Sequence, residues 1–172
     1  MELKLYALQT LQETALWREA FAKGGLDRPI GYYADCFEAN RGGRQVTVLA
    51  EADGRIAACG HVLKESGCAP FREEGIAEVH GVNVLPQFRR RGVGGRLLDE
   101  LEAIALRKYA SIGLVVGLDV NDGPAKRMYA NRGYVPDGRG PSRGGETVEL
   151  GGLARADDLL VYWTKELGAK QG

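Results

Sequence analysis

The chain has 172 residues and a mass of 18.6 kDa, a length that suits one domain. Hydrophobic residues make up 44% and charged residues 27%, with Lys+Arg and Asp+Glu both at 23. That balance is too apolar for disorder, and its zero net charge argues against a nucleic-acid coat or a polybasic membrane binder. Cys36, Cys59 and Cys68 show no repeated spacing and read as reduced thiols. Apolar runs such as Ile112 to Leu118 fall short of the roughly 20 residues that span a bilayer. The Met-Glu-Leu-Lys start lacks a basic-then-apolar signal pattern, so one cytoplasmic domain over residues 1–172 is expected.

In chain order, Leu3 to Leu8 reads as a first strand. Leu11, Ala15, Leu16 and Ala22 repeat at helical spacing behind Thr10, a plausible N-cap, until Gly24-Gly25. A short helix follows over Tyr32 to Ala39. Asp53-Gly54 between two alternating apolar runs, Gln45 to Glu51 and Arg55 to Lys64, predicts a tight hairpin. Glu65 to Gly75, with its Gly, Pro and adjacent acids, reads as a loop. Glu78 to Leu85 is a strand closed by Pro86. Gly92 to Lys108 is the best helix, with Val93, Leu97, Leu98, Leu101, Ile104 and Ala105 on one stripe. Ser111 to Val120 reads as a strand buried on both faces, and Pro124 to Asn131 as a helix ended by Gly133. Asp137 to Gly152 reads as a mobile polar loop and Leu159 to Thr164 as a last strand. The order predicts an α+β domain around a mixed sheet.

The most informative segment is Val82-Asn83-Val84-Leu85-Pro86-Gln87-Phe88-Arg89-Arg90-Arg91-Gly92-Val93-Gly94-Gly95. A strand ends, a basic glycine-rich turn follows, and a long amphipathic helix starts. Glycines let successive N–H groups face one point, and the helix N-terminus adds about half a positive charge. Arg89, Arg90 and Arg91 supply countercharge, so the turn predicts a phosphate or pyrophosphate site. A Walker string is absent, and Gly92-x-Gly94 is followed at the third place by Leu97, so neither the Walker loop nor the dinucleotide fingerprint fits.

What remains, Arg89-Arg90-Arg91-Gly92-Val93-Gly94, resembles the R-x-x-G-x-G acetyl-CoA signature of the GNAT acetyltransferase superfamily. A second segment, Ala125-x-x-x-Tyr129-x-x-x-Gly133-Tyr134, is similar to that family's later helix. The resemblance implies a mixed, mostly antiparallel sheet of six to seven strands flanked by about four helices. It implies acetyl-CoA as co-substrate, without metal, and acetyl transfer to a primary amine by direct attack in a ternary complex. The backbones of Val82, Asn83 and Val84 would pair with the pantetheine arm, and an N–H near Val84 would polarise the thioester carbonyl. The pyrophosphate would rest on the turn formed by Arg89, Arg90, Arg91, Gly92, Val93, Gly94 and Gly95. Tyr129 takes the place of the general acid beside the cofactor sulfur.

Glu78 lies eleven positions before Arg89, the place of the glutamate base in the histone-acetylating branch. His80, on the same face of an unbulged strand, is the second candidate base. The pattern departs at Asp122, where many relatives carry asparagine; Asn121, one place earlier, is the nearest match for a cofactor contact.

Two readings differ in class from this one or refine it: a non-catalytic acyl-CoA-binding module, and the same chemistry with a longer acyl donor. Gly140-Pro141-Ser142-Arg143-Gly144 matches the nucleophile-elbow string G-x-S-x-G, but its flanks are loop and no histidine follows His80. Cys59-x-His61 and Cys68 lack zinc-ligand spacing. The arginine run without interleaved aromatics does not predict nucleic acid, and no membrane partner is expected. The first two helices and the Asp137 to Gly152 loop are expected on the acceptor side. Their acids (Asp27, Asp35, Glu38) and bases (Arg18, Arg28, Arg41, Arg139, Arg143) have no dominant sign, leaving a small-molecule or protein amine open. A homodimer is the commonest soluble oligomer and is the default here.

Overall fold

The computed structural model describes residues 1–118, 123–143, 146–148 and 159–168. Strand β1 is Leu3–Ala7, and helix α1, Leu11–Lys23, starts at Thr10. The Thr10 hydroxyl accepts the Glu13 N–H, and the Glu13 carboxylate accepts the Thr10 N–H, so two of the helix's first donors are satisfied reciprocally. Helix α2 is Tyr32–Arg41. The hairpin β2 (Gln45–Ala52) and β3 (Arg55–Leu63) turns at Asp53 and Gly54, whose φ of 49° and 75° place both in the left-handed region. That is the conformation the Asp-Gly pair predicts for a two-residue turn.

Glu65 to Gly75 is not all loop. It contains α3, Ala69–Glu74, with Pro70 in its first turn and Gly75 at its C-cap. The short helix is held by Phe71, whose buried ring lies over β5 (Ser111–Gly117) where residue 113 has no side chain. A Cβ on Gly113 would come within 2.5 Å of that ring. Strand β4 is Ala77–Val84, followed by a single 3-10 turn, Pro86–Phe88. Helix α4, Val93–Leu106, buries Val93, Leu97, Leu98, Leu101 and Ala105, nearly the predicted stripe, with Ile104 partly covered. Helix α5 is Gly123–Asn131, β6 is Val135–Pro136, β7 is Ser142–Arg143, β8 is Glu146–Thr147 and β9 is Leu160–Glu166.

The strands form one sheet in the order β1-β2-β3-β4-β5-β9-β7-β8, with β6 also beside β9. Every pairing is antiparallel except β4 with β5. The fold is the mixed, mostly antiparallel α+β sheet expected; the two-residue strands and α3 bring the described elements to nine strands and five helices. Consecutive β3 residues point to opposite faces. Gly60 faces Leu97 and Leu101 of α4, while His61 faces Trp17 of α1 and Tyr32 of α2. Trp17, Phe21, Leu49, Leu97, Leu98, Leu101 and Ile112 are sealed in the resulting core. Each such side chain contributes about 1.5–3 kcal/mol of burial free energy.

Candidate active site

The site begins with a break in the sheet. Parallel pairing between β4 and β5 is confined to Ala77 with Ile112 and Glu78 with Gly113. Beyond that, β4 pairs with β3 and β5 with β9, so the β5-facing edge of Val79–Val84 has no strand partner. The cause is local. His61 pairs with His80 and Cys59 with Asn83, so Gly60 alone opposes both Gly81 and Val82. Gly81 takes φ +59°, the left-handed conformation that glycine adopts without penalty, and the strand bulges there.

The bulge also reverses which face the side chains meet. Glu78 and His80 lie together, with His80 Nδ1 3.3 Å from Glu78 Oε1. Val82 and Val84, of the same parity, instead meet the α4 side, near Gly60 and Gly94 respectively. An unbulged strand would have placed all four on one face. The lone glycine in Val79-His80-Gly81-Val82 is the sequence signal for this.

A cleft of about 480 Å³ opens where the strands part. Glu78, His80, Cys68 and Tyr129 are all on its walls, with Val82 and Leu114. The structure thus brings together the predicted acid and both predicted bases. Glu78 is not a solvated strand-start acid: it is 4% exposed. Its Oε2 accepts the Ser66 hydroxyl at 2.5 Å, and the Ser66 oxygen in turn accepts the Cys68 N–H at 2.9 Å. His80 is the accessible member of the pair, with 57% of its side chain exposed. Tyr129 rides on α5, and its ring meets that of Tyr134 edge-on at 5.9 Å. The C-terminal end of α5 is tied to α4 through Glu102, which accepts Arg132 Nε at 3.0 Å and the Tyr134 hydroxyl at 3.1 Å, and to β9 through Lys165 Nζ at 2.7 Å.

Beside the cleft lies the basic turn. Gly92, at φ +81°, is the N-cap of α4 and supplies no side-chain cap. The first α4 N–H to find a backbone partner is that of Arg96, bonded to Gly92 O at 3.1 Å, so the amides of Val93, Gly94 and Gly95 precede the helical ladder. A Cβ on Gly92 or Gly95 would meet nothing within 4 Å, which leaves an open approach to these donors. Arg89, Arg90 and Arg91 are exposed around it, and Arg89 Nε donates to Val84 O at 3.0 Å. Arg90 holds φ +57°, unusual for a residue with a side chain. These residues fit a pyrophosphate: convergent amides, a helix N-terminus and mobile guanidinium groups. Asn121 lies outside the described residues.

A second cavity of about 480 Å³ adjoins the first through Leu63 and His80. Tyr32, Asp35, Glu38, Arg44 and His61 are on its walls. Sequence reasoning missed His61, Tyr32 and Ser66 as neighbours of the site. His61 is sealed at 1% exposure. Its Nδ1 is 2.9 Å from the Thr47 hydroxyl, which already accepts Asn40 Nδ2 at 2.7 Å and Gln45 Nε2 at 2.9 Å. The Thr47 proton therefore goes to Nδ1, and the His61 proton sits on Nε2, donated to the Tyr32 oxygen at 3.0 Å. Burial above all, then the charges of His80 and Arg28, pushes His61 down to about 3, so it is neutral near pH 7. Ser142 of the elbow-like string is buried and donates to the Tyr162 hydroxyl at 3.0 Å, with no nucleophile geometry. Among the described residues, no group of three or more His, Cys, Asp or Glu side chains could hold a metal, and no helix is long and apolar enough to cross a membrane.

The model of the Acetyltransferase (GNAT) family matches residues 10–134, from the α1 N-cap through the Tyr129 helix to Tyr134. The chain belongs to the GNAT acetyltransferase family. No curated protein matches it significantly in sequence. Among solved structures, a GNAT-family protein from Desulfovibrio desulfuricans aligns with TM-score 0.73 at 16% identity, over 97% of this chain and 100% of that one. Salmonella typhimurium yncA, solved with its cofactor acetyl-CoA, aligns with TM-score 0.70 at 16% identity over 100% and 98%. The ribosomal-protein-S18-alanine N-acetyltransferase of Escherichia coli aligns with TM-score 0.67 at 14% identity over 99% and 98%. At these identities the likeness to each structure is one of fold, and the GNAT fold covers essentially the whole chain.

Proposed function

We propose that this GNAT protein transfers an acetyl group from acetyl-CoA to a primary amine of a small molecule or a protein. The observation that carries the reading is the shared cleft: Glu78, His80 and Tyr129 meet at the parting of β4 and β5, beside the uncapped N-terminus of α4. Acetyl-CoA supplies an acyl carbon activated as a thioester. The amides of Val93, Gly94 and Gly95, with Arg89, Arg90 and Arg91, hold its pyrophosphate, and the unpaired edge of Val82, Asn83 and Val84 takes the pantetheine arm as an added strand. A backbone N–H near Val84 polarises the carbonyl.

The neutral amine attacks this carbon directly. A C–N bond forms, the C–S bond breaks, the amine's surplus proton passes to the Glu78–His80 pair, and the Tyr129 hydroxyl protonates the departing thiolate. Direct attack suits a site where a donor cleft and an acceptor cavity meet, here at Leu63 and His80, because both substrates are then held together at the moment of reaction.

The test is free-thiol release from acetyl-CoA with a polyamine, an aminoglycoside and an alanine-initiated peptide as acceptors. The account expects release that depends on one of these amines. Acetyl-CoA binding with no release from any amine offered would favour a non-catalytic acyl-CoA-binding module.

A further inference from the structure

The family reading leaves the carrier of the amine's proton undivided between two side chains. We infer that His80 receives it on Nε2, and that Ser66 and Glu78 are positioning residues that fix the imidazole with its own hydrogen on Nδ1. The inference rests on the acetyl-transfer reading for its chemistry, but its geometry stands separately.

The hydrogen positions follow from counting donors. Ser66 is 3% exposed, and its oxygen accepts the Cys68 N–H at 2.9 Å while its single hydroxyl hydrogen goes to Glu78 Oε2 at 2.5 Å. Arg72 holds this loop in place, donating to Ser66 O and Gly67 O, both at 2.8 Å. The Glu78 carboxylate has no hydrogen to give, so the contact of Oε1 with His80 Nδ1 at 3.3 Å is an Nδ1–H donated to oxygen. Nε2 is left with its lone pair. Both Glu78 oxygens are engaged on a side chain only 5% exposed, whereas 57% of the His80 side chain is open at the junction of the two cavities. An amine entering from the α2 side meets His80 before Glu78.

The step balances. As the C–N bond forms, the nitrogen's surplus proton moves to Nε2; the imidazolium is stabilised by the Glu78 carboxylate; the thiolate takes the Tyr129 proton; solvent later returns His80 and Tyr129 to their starting states. Among the described residues, the other titratable or charged groups on the walls around His80 are His61 of β3, its ring centroid 6.4 Å away, Tyr32, Asp35, Cys36, Glu38 and Arg44 around the acceptor cavity, and Cys68 and Tyr129 around the cleft.

The chain has two histidines, which makes the experiment direct. In protein labelled with nitrogen-15 histidine, one ring should carry its hydrogen on Nε2 and stay neutral down to about pH 3 (His61), and the other on Nδ1 (His80), with His80→Asn assigning the pair. Glu78→Ala should move the His80 hydrogen off Nδ1, and Ser66→Ala, the milder variant, should do so in part. With acetyl-CoA and the same amine panel, His80→Asn should cut kcat by roughly 100-fold or more. Its stabilisation by acetyl-CoA should be unchanged. A His80 hydrogen on Nε2 in the unaltered protein, or full kcat in His80→Asn, overturns the inference. An Nδ1 hydrogen without any stabilisation by acetyl-CoA overturns the transfer reading and leaves the ordering of Ser66, Glu78 and His80 standing.

Discussion

Replacing Tyr129 by phenylalanine removes the phenolic proton donor of the cleft while keeping the ring that packs on Tyr134. The proposed general acid then predicts a fall in kcat of about 100-fold with little change in acetyl-CoA Kd, read by thiol release and calorimetry. The arginines of the turn predict the opposite split. Arg90 and Arg91 are exposed, so replacing both by alanine should leave the free protein's Tm nearly unchanged. Lost charged hydrogen bonds to phosphate, about 1.5–3 kcal/mol each, should weaken acetyl-CoA binding at least 10-fold. At this scale the sequence was legible where neighbours in space are neighbours in the chain. Strand alternation puts Glu78 and His80 side by side, and a strand–turn–helix run places Arg89 to Gly95 at a helix start. Ser66 was not legible, because its partner Glu78 is twelve residues away across α3, and nothing in a lone loop serine announces a buried carboxylate.

The strand β4 carries the element-scale argument. Its left-handed Gly81 produces the bulge that turns Val82 and Val84 toward α4, and a Cβ there would come within 2.8 Å of His61 Cδ2. Gly81→Ala therefore combines backbone strain with a clash against an immobile ring and should destabilise the fold by about 1–3 kcal/mol, measured by denaturant unfolding. It should also impair acetyl-CoA binding, since the pantetheine edge is displaced. Hairpin, Thr10 N-cap and α4 stripe could all be read in advance, because each is set by residues within one turn or one strand pair. The α3 helix could not: Pro70 and Gly75 mark its ends, but what holds it is Phe71 on Gly113, a long-range fit invisible to local pattern. The parting of β4 and β5 accompanies one extra residue opposite Gly60, and the lone Gly81 is its sign in the sequence.

Two polar centres, one half-buried and one sealed, act on the whole molecule. Glu102 joins α4, α5 and β9; burial pushes its carboxyl up, but the hydrogen bonds and charges of Arg132 and Lys165 outweigh that and hold it below the usual carboxylate range. Its stabilisation is present above about pH 4.5 and is lost as pH falls through the lower folded value. Glu102→Ala should cost about 1–3 kcal/mol by removing the shared acceptor of Arg132, Tyr134 and Lys165. His61 works over a different window. The unfolded chain takes up its proton near pH 6.5 while the folded one resists until about pH 3, so stability falls as pH drops between those values. Tm measured from pH 6.5 down to 5, above the Glu102 range, should decline in the unaltered protein and flatten in His61→Gln.

The family assignment and the cleft both lead to one ligand, and a thermal-shift titration with acetyl-CoA, with NADH and ATP as controls, tests it most directly. At 100 times its Kd a ligand adds about 2.7 kcal/mol, which for a chain of this size raises Tm by roughly 5–11 °C. The account predicts a rise of that order with acetyl-CoA alone, reduced in the Arg90 and Arg91 double variant. No rise at millimolar acetyl-CoA with folded protein would contradict the pyrophosphate role of the Arg89 to Gly95 turn, and the proposed transfer would fall with it.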